Sequence, residues 1–215
     1  MSKHHIIISG TGRAGTTFLI QLFTALGSHT GFTDLTSAVS SNSNAGMEWD
    51  LRSADAPYII KSPWLCDHLD DVLESTDIVI DHAIIPIRHL YSAAESRRDV
   101  TRRTDSTVYS GVIPGGLWHT NNPQQQEAIL ANQLYKIIYT IAKRDIPMTL
   151  LYFPKFIYDP EYLYRKIEAT LQGIRYERFL ETFEQVARPD LVHRFSPEDA
   201  AEISPPKEAD QSEDR

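Results

Sequence analysis

The chain has 215 residues, 41% of them apolar and 23% charged, and a formal net charge of −8. This length gives one α/β domain with a sizeable core; the acidity argues against a nucleic-acid-binding face, and no apolar run approaches a membrane span. A lone cysteine, Cys66, leaves no internal disulfide and no zinc-type pattern, and three consecutive isoleucines are too few for a signal peptide, so a cytoplasmic setting is expected.

The first expected strand is 5–9, through Ile6, Ile7 and Ile8. It enters a glycine-rich turn (Gly10, Gly12, Gly15), and Thr16 and Thr17 open a helix over 16–26, stopped by Gly27. Strand, glycine loop and helix in that order make an anion cradle, because the loop can turn N–H groups inward and the helix start adds its positive end. The nucleotide-kinase form, G-x-x-x-x-G-K-[ST], needs a lysine where Thr16 stands. The only cation in this loop is Arg13.

Residues 31–47 are rich in Ser, Asn, Thr and Gly and read as a loop with room for one short strand. A strand over 58–61 ends at Lys61 and leads to a helix with Leu65, Leu69, Val72 and Leu73 on one side. A strand over 83–87 ends at Arg88, although Pro86 cannot donate to a ladder, and a helix over 89–103 follows. That helix carries Arg97, Arg98, Arg102 and Arg103 beside Glu95 and Asp99, which suits either a solvated ion-paired face or a positive rim. Residues 104–121 form a second loop, a candidate lid. Asn122 and Pro123 start the next helix, expected to bury Ile129, Leu130, Leu134, Ile137, Ile138 and Ile141; a strand over 148–153 and helices over 160–172 and 176–187 complete the domain.

Strands alternating with helices predict a central parallel sheet with helices on both faces, a three-layer P-loop-type α/β sandwich spanning residues 1–195. Residues 196–215 carry a net charge of −5 and are rich in Pro, Glu, Asp and Ser, so they read as a disordered acidic tail. In such sheets ligands bind beyond the strand C-termini. The expected ends are Ser9–Gly12, Lys61–Pro63, Arg88 and Phe153–Lys155, and cations or the anion cradle occupy most of them.

The run Arg13-Ala14-Gly15-Thr16-Thr17 resembles the 5′-phosphosulfate loop of the sulfotransferases, which often reads Arg-Ser-Gly-Thr-Thr in bacterial members. A second match is Arg88 at a strand end with Ser96 eight residues on, similar to the pair that holds the 3′-phosphate in that family. A looser one runs from Met148 to Phe153, through Tyr158-Asp159-Pro160-Glu161, to a helix ending near Gly173, and together the matches cover roughly residues 5 to 180. The resemblance implies a compact bacterial-type sulfotransferase that uses 3′-phosphoadenosine 5′-phosphosulfate, releases adenosine 3′,5′-bisphosphate and needs no metal. It implies cofactor contacts from Gly12, Arg13, Ala14, Gly15, Thr16, Thr17, Arg88 and Ser96, charge stabilisation by Arg13 and Lys61, and a small-molecule or glycan acceptor with a hydroxyl or amine.

The catalytic histidine of the family's animal cytosolic members is replaced by Pro63 in Lys61-Ser62-Pro63, and the C-terminal segment with which those members close the nucleotide site is not matched. Glu48 is the favoured general base, because other branches use an early glutamate; Asp50, Asp67, His68 and His119 are the alternatives. Trp49, Trp64, Tyr109 and Trp118 fall in expected loops, where they could meet an acceptor ring or anchor the core. Two other readings stand beside the sulfotransferase: a P-loop small-molecule kinase, for which Asp81 would supply a magnesium ligand, and a non-catalytic nucleotide-binding protein.

Overall fold

The structure is a computed structural model and describes residues 2–75, 77–104 and 113–195. The acidic tail and part of the expected lid, including Tyr109 and Gly111, lie outside the described residues.

Four parallel strands form one sheet: β1 (Lys3–Ile8), β2 (Ile59–Lys61), β3 (Ile78–Ile87) and β4 (Met148–Tyr152), in the order β2-β1-β3-β4. The period-two alternation of a strand explains why three successive isoleucines are all buried. Ile6 and Ile8 face one layer, with Ile59, Ile84 and Leu151; Ile7 faces the other, with Ile60 and Ile85. The first layer is completed by α1 (Thr16–Ala25), the short α5 (Lys155–Tyr158), α6 (Pro160–Ile167) and α7 (Tyr176–Val186), and the second by α2 (Leu65–Ser75) and α4 (Gln126–Lys143). Between β3 and α4, α3 (Leu90–Arg103) packs Ala93 and Ala94 against Leu130 of α4. Among the described residues, no helix is long and apolar enough to cross a membrane.

The strand order carries the functional geometry. From β1 the chain moves outward to β2, then crosses back over β1 to β3 and continues outward to β4. The connections leaving β1 and β3 therefore run to opposite faces and part from each other above the strand ends. That topological switch point is where open α/β sheets place ligands.

Two departures from the expected elements have local causes. The third strand begins at Ile78, five residues earlier than expected, because Asp81 and His82 disguise its start. The register to β1 slips between His5 and Ile6, so that Asp81 is the extra residue of a bulge. Its carboxylate is taken by His4 Nδ1 at 2.7 Å and by the Tyr58 hydroxyl at 3.1 Å. Asp81 thus lies toward the strand N-termini, at the opposite end of the sheet from the glycine loop. Pro86 sits inside β3 without harm. Ala83 and Ile87 bond to the β4 side and Ile84 to the β1 side, so by alternation the missing Pro86 N–H points where the β1 ladder has already ended.

The caps behave as the sequence indicates. The Asn122 side chain accepts from Gln124 N and the Asp159 side chain from Tyr162 N at 2.8 Å, each followed by proline at the first helical position. The helix expected over 160–172 ends at Ile167 and passes into a 3₁₀ turn over Glu168–Thr170.

His5 gives a pH test of this packing. Its ring is buried in β1, Nδ1 bonds the Pro57 carbonyl at 2.7 Å, and Nε2 is buried without a partner. Burial pushes its pKa below the ordinary 6.5, outweighing the Pro57 bond that raises it. The folded state therefore binds fewer protons than the unfolded chain just below pH 6.5, so stability is full above that value and declines as the pH falls toward the lowered one. His68, His82 and His193 are shifted the same way by burial and add to the slope. Urea denaturation between pH 7 and about 5 should show a shallower decline for His5→Asn than for wild type; equal slopes would contradict the assignment.

Candidate active site

The loop leaving β1 winds through positive φ angles at Gly10 (142°), Gly12 (65°), Arg13 (55°) and Gly15 (79°). Two glycines are also required by close approach. A Cβ on Gly12 would lie 2.5 Å from Arg97 Nη2, and one on Gly15 would lie 2.8 Å from the Phe156 ring. With Ala14 fully buried, the loop is pressed onto its support. α1 then starts at Thr16 with no side-chain cap and no acid in its first turn, leaving its leading N–H groups and positive end available to an anion.

A cavity of about 620 Å³ opens above this loop. Every expected site residue lines it except Ala14, which lies beneath the loop.

Arg13 ties the two sequence motifs together. Its Nε donates to Ser96 Oγ at 3.0 Å, and its carbonyl accepts from Arg88 Nη1 at 2.9 Å. Its Nη1 donates to the Ser43 carbonyl, which brings the 31–47 loop over the site. Arg88 follows the last residue of β3 as expected, donates also to the His193 carbonyl, and lies 4.9 Å from the Phe153 ring centre and 5.7 Å from that of Phe195. Burial, with Arg88 close by, lowers the Arg13 pKa to about 10.

Lys61, at the end of β2, is 4% exposed. Its Nζ donates to Glu48 Oε1 at 2.6 Å and to the Gly46 carbonyl at 2.5 Å. Segment 46–49 is held against the strand end by the Trp49 N–H bond to the Lys61 carbonyl (3.0 Å) and by the buried Met47. Burial lowers the Lys61 pKa and the Glu48 carboxylate opposes that shift. Glu48 lines the cavity, and Asp50, Asp67, His68 and His119 do not. Asp50 is held by Arg52, whose hydrogen bonds pull its pKa down to about 2, and Asp67 lies 3.2 Å from His119 Nε2. Pro63 lines the cavity beside Lys61.

The arginines of α3 divide by helical face. Arg98, Arg102 and Arg103 pair with Glu95, Glu127 and Asp99, an ion-paired outer face. Arg97 shares the buried side with Ala93, Ala94 and Val100 and lines the cavity. It donates to the Thr11 carbonyl at 2.7 Å and the Gly116 carbonyl at 2.8 Å, and lies 5.3 Å over the Trp118 ring. Sequence reasoning did not select it as a site residue. The available signal was its helical register, in phase with Ala93, Ala94 and Val100, whereas Arg98 and Arg102 are in phase with Glu95.

The tryptophans separate in the same way. Trp118 faces the cavity, Trp49 packs on Gly31 and Phe32 as part of the core, and Trp64 is exposed.

No protein-family model matches the chain, and no curated protein matches its sequence. Among solved structures, the sulfotransferase domain from the Synechococcus PCC 7002 olefin synthase matches with a TM-score of 0.48 and 16% sequence identity, over 88% of this chain and 82% of that one.

The tight seat of the loop is testable. Gly27 also has positive φ (86°), but a Cβ there meets nothing within 4 Å. Gly27→Ala should cost only the backbone strain of that conformation, roughly 1 kcal/mol. Gly12→Ala must in addition displace Arg97 and should be the more destabilising of the two in urea denaturation. Equal costs would mean the loop is not held as described.

Proposed function

We propose that the chain is a sulfotransferase that moves a sulfuryl group from 3′-phosphoadenosine 5′-phosphosulfate to an acceptor hydroxyl or amine. The observation that carries this reading is Arg13, which joins the glycine loop to both Arg88 and Ser96 in the cavity that holds the Lys61–Glu48 pair. A nucleotide with separate 5′ and 3′ anionic groups needs two anion positions close together, and these residues supply two.

The fit can be judged on the residues themselves. The loop lacks a Cβ where Arg97 and Phe156 press on it, α1 begins uncapped, and the described residues place no carboxylate within ion-pair distance of Arg13 or Arg97. When bound, the nucleotide supplies the group to be transferred. Gly12 to Thr17 would hold its 5′-phosphate end, and Arg88 with Ser96 its 3′-phosphate, a fork and a hydroxyl suited to phosphate oxygens. Arg13, Lys61 and the N–H groups at the start of α1 would stabilise negative charge growing on the leaving side.

Glu48 would accept the proton of the acceptor hydroxyl at its carboxylate. The Lys61 ammonium, 2.6 Å from Glu48 Oε1, holds that carboxylate at the cavity wall. This assignment fills the place left by Pro63. The position of Asp81, at the far end of the sheet and bonded to His4 and Tyr58, removes the acid that favoured a kinase.

A thermal-shift titration with adenosine 3′,5′-bisphosphate, set against ATP with magnesium, tests the cofactor class. At about 100 times its dissociation constant, a ligand stabilises by about 2.7 kcal/mol, roughly 5–10 °C for a domain of this size. The bisphosphate alone should give that shift, and Arg88→Ala should lose it. A shift with ATP–magnesium alone would point to a kinase, and none with either to a protein that uses no adenine nucleotide.

Two substitutions test the chemistry, followed by label transfer from sulfur-labelled nucleotide to an acceptor mixture. Arg13→Ala should slow transfer about 10²-fold. Glu48→Gln should slow it about 10²- to 10⁴-fold while keeping the bisphosphate shift. Full transfer by Glu48→Gln would remove it as the base.

A further inference from the structure

We infer that Arg97 is a positioning residue that couples the phosphate loop to the Trp118 wall of the cavity, so that an anion bound at the loop is felt at Trp118. The inference rests on the reading of the glycine loop as an anion site and adds a mechanical link that this reading does not require.

The link is short and stiff. Arg97 spans from the Thr11 carbonyl, at the start of the loop, to the Gly116 carbonyl, at 2.7 and 2.8 Å. A guanidinium is planar, so its two arms cannot shift independently. Its Nη2 occupies the space a side chain at Gly12 would need, and its Cζ lies 5.3 Å from the centre of the Trp118 ring. A shift of the loop would therefore be passed through Arg97 to the indole.

The wall is held on its other sides. Leu117 N donates to Thr101 Oγ1 at 2.9 Å, and Trp118 N to Gln126 Oε1 at 2.7 Å, which seats residues 116–118 on α3 and α4. Gly115 packs beside Arg13 and Ser43. Residues 116–118 thus form a pinned wall.

The charge supplies the driving force. Arg97 is 3% exposed, its Nε is buried without a partner, and the described residues place no carboxylate within ion-pair distance. Burial, with Arg13 nearby, lowers its pKa to about 9. A buried cation beside another cation gains when a negative charge arrives nearby. An anion on the loop should therefore draw Arg97 toward it and shift the ring resting on it.

Fluorine NMR of the full chain labelled with 5-fluorotryptophan reads this directly. The three tryptophans give three resonances, and Trp118→Phe assigns one of them. Adenosine 3′,5′-bisphosphate and inorganic pyrophosphate are titrated separately, with melting temperature as the independent report of binding. In wild type the Trp118 resonance should move with binding. In Arg97→Lys, which keeps the charge but cannot serve both carbonyls in one plane, binding should weaken roughly tenfold and the Trp118 resonance should stay still. A merely structural role would lower the melting temperature of Arg97→Lys and leave the Trp118 response intact, which would overturn the coupling. So would a wild-type Trp118 resonance that stays still while melting reports binding, or the binding of neither anion; these need no variant to fold. Pyrophosphate moving Trp118 while the bisphosphate does not bind would support the coupling and refute the nucleotide reading.

Discussion

Arg13, Arg88 and Arg97 converge on one cavity at the point where β1 and β3 part, and like charges buried this close raise one another's energy. Carbonyl oxygens of Thr11, Arg13, Ser43, Gly116 and His193 take several of their N–H groups. Neutral carbonyls solvate a guanidinium but do not cancel its charge. Such an arrangement favours an anionic ligand, and bonds to these arginines tie together the glycine loop, the Ser43 segment and Gly116 beside Trp118.

The fold explains why the cations can gather there. A parallel sheet puts every strand C-terminus on one side, and the crossing from β2 back over β1 opens a gap at the switch point. The loop after β1 enters that gap from one side and Arg88 from the other, while Lys61 arrives on β2 with Glu48. The acids nearest this site, Glu95, Glu127 and Asp99, pair outward with Arg98, Arg102 and Arg103, and the field of Asp99 offsets only part of the shift that burial and Arg88 impose on Arg13.

What the sequence made legible was local. Strand, glycine loop and helix succeed one another within 25 residues, and the Arg88–Ser96 spacing spans one strand end and two helical turns, so both survive as linear patterns. Helix starts at Asn122–Pro123 and Asp159–Pro160 were readable because capping is a contact between near neighbours. The parallel sheet with helices on both faces followed from the alternation of elements.

Contacts across the chain were harder to read. That Glu48 reaches Lys61 depends on a loop returning beside β2, and no spacing rule states it; Glu48 was one of five choices until the cavity separated it from the rest. Arg97 was hidden in a run of four arginines that look alike until helical phase divides them. The early start of β3 was masked because its bulge residue, Asp81, satisfies its charge through His4 and Tyr58.

The proposed function requires two anion positions, one at the loop and one at Arg88 and Ser96, to act on a single nucleotide. Calorimetric titration of adenosine 3′,5′-bisphosphate against adenosine 5′-monophosphate tests it directly. Loss of the 3′-phosphate removes charge-assisted bonds to Arg88 and Ser96, roughly 1.5–3 kcal/mol, so the monophosphate should bind about 10- to 100-fold more weakly. Equal affinity for the two would mean that Arg88 and Ser96 do not read a 3′-phosphate, and the account would fail at its centre.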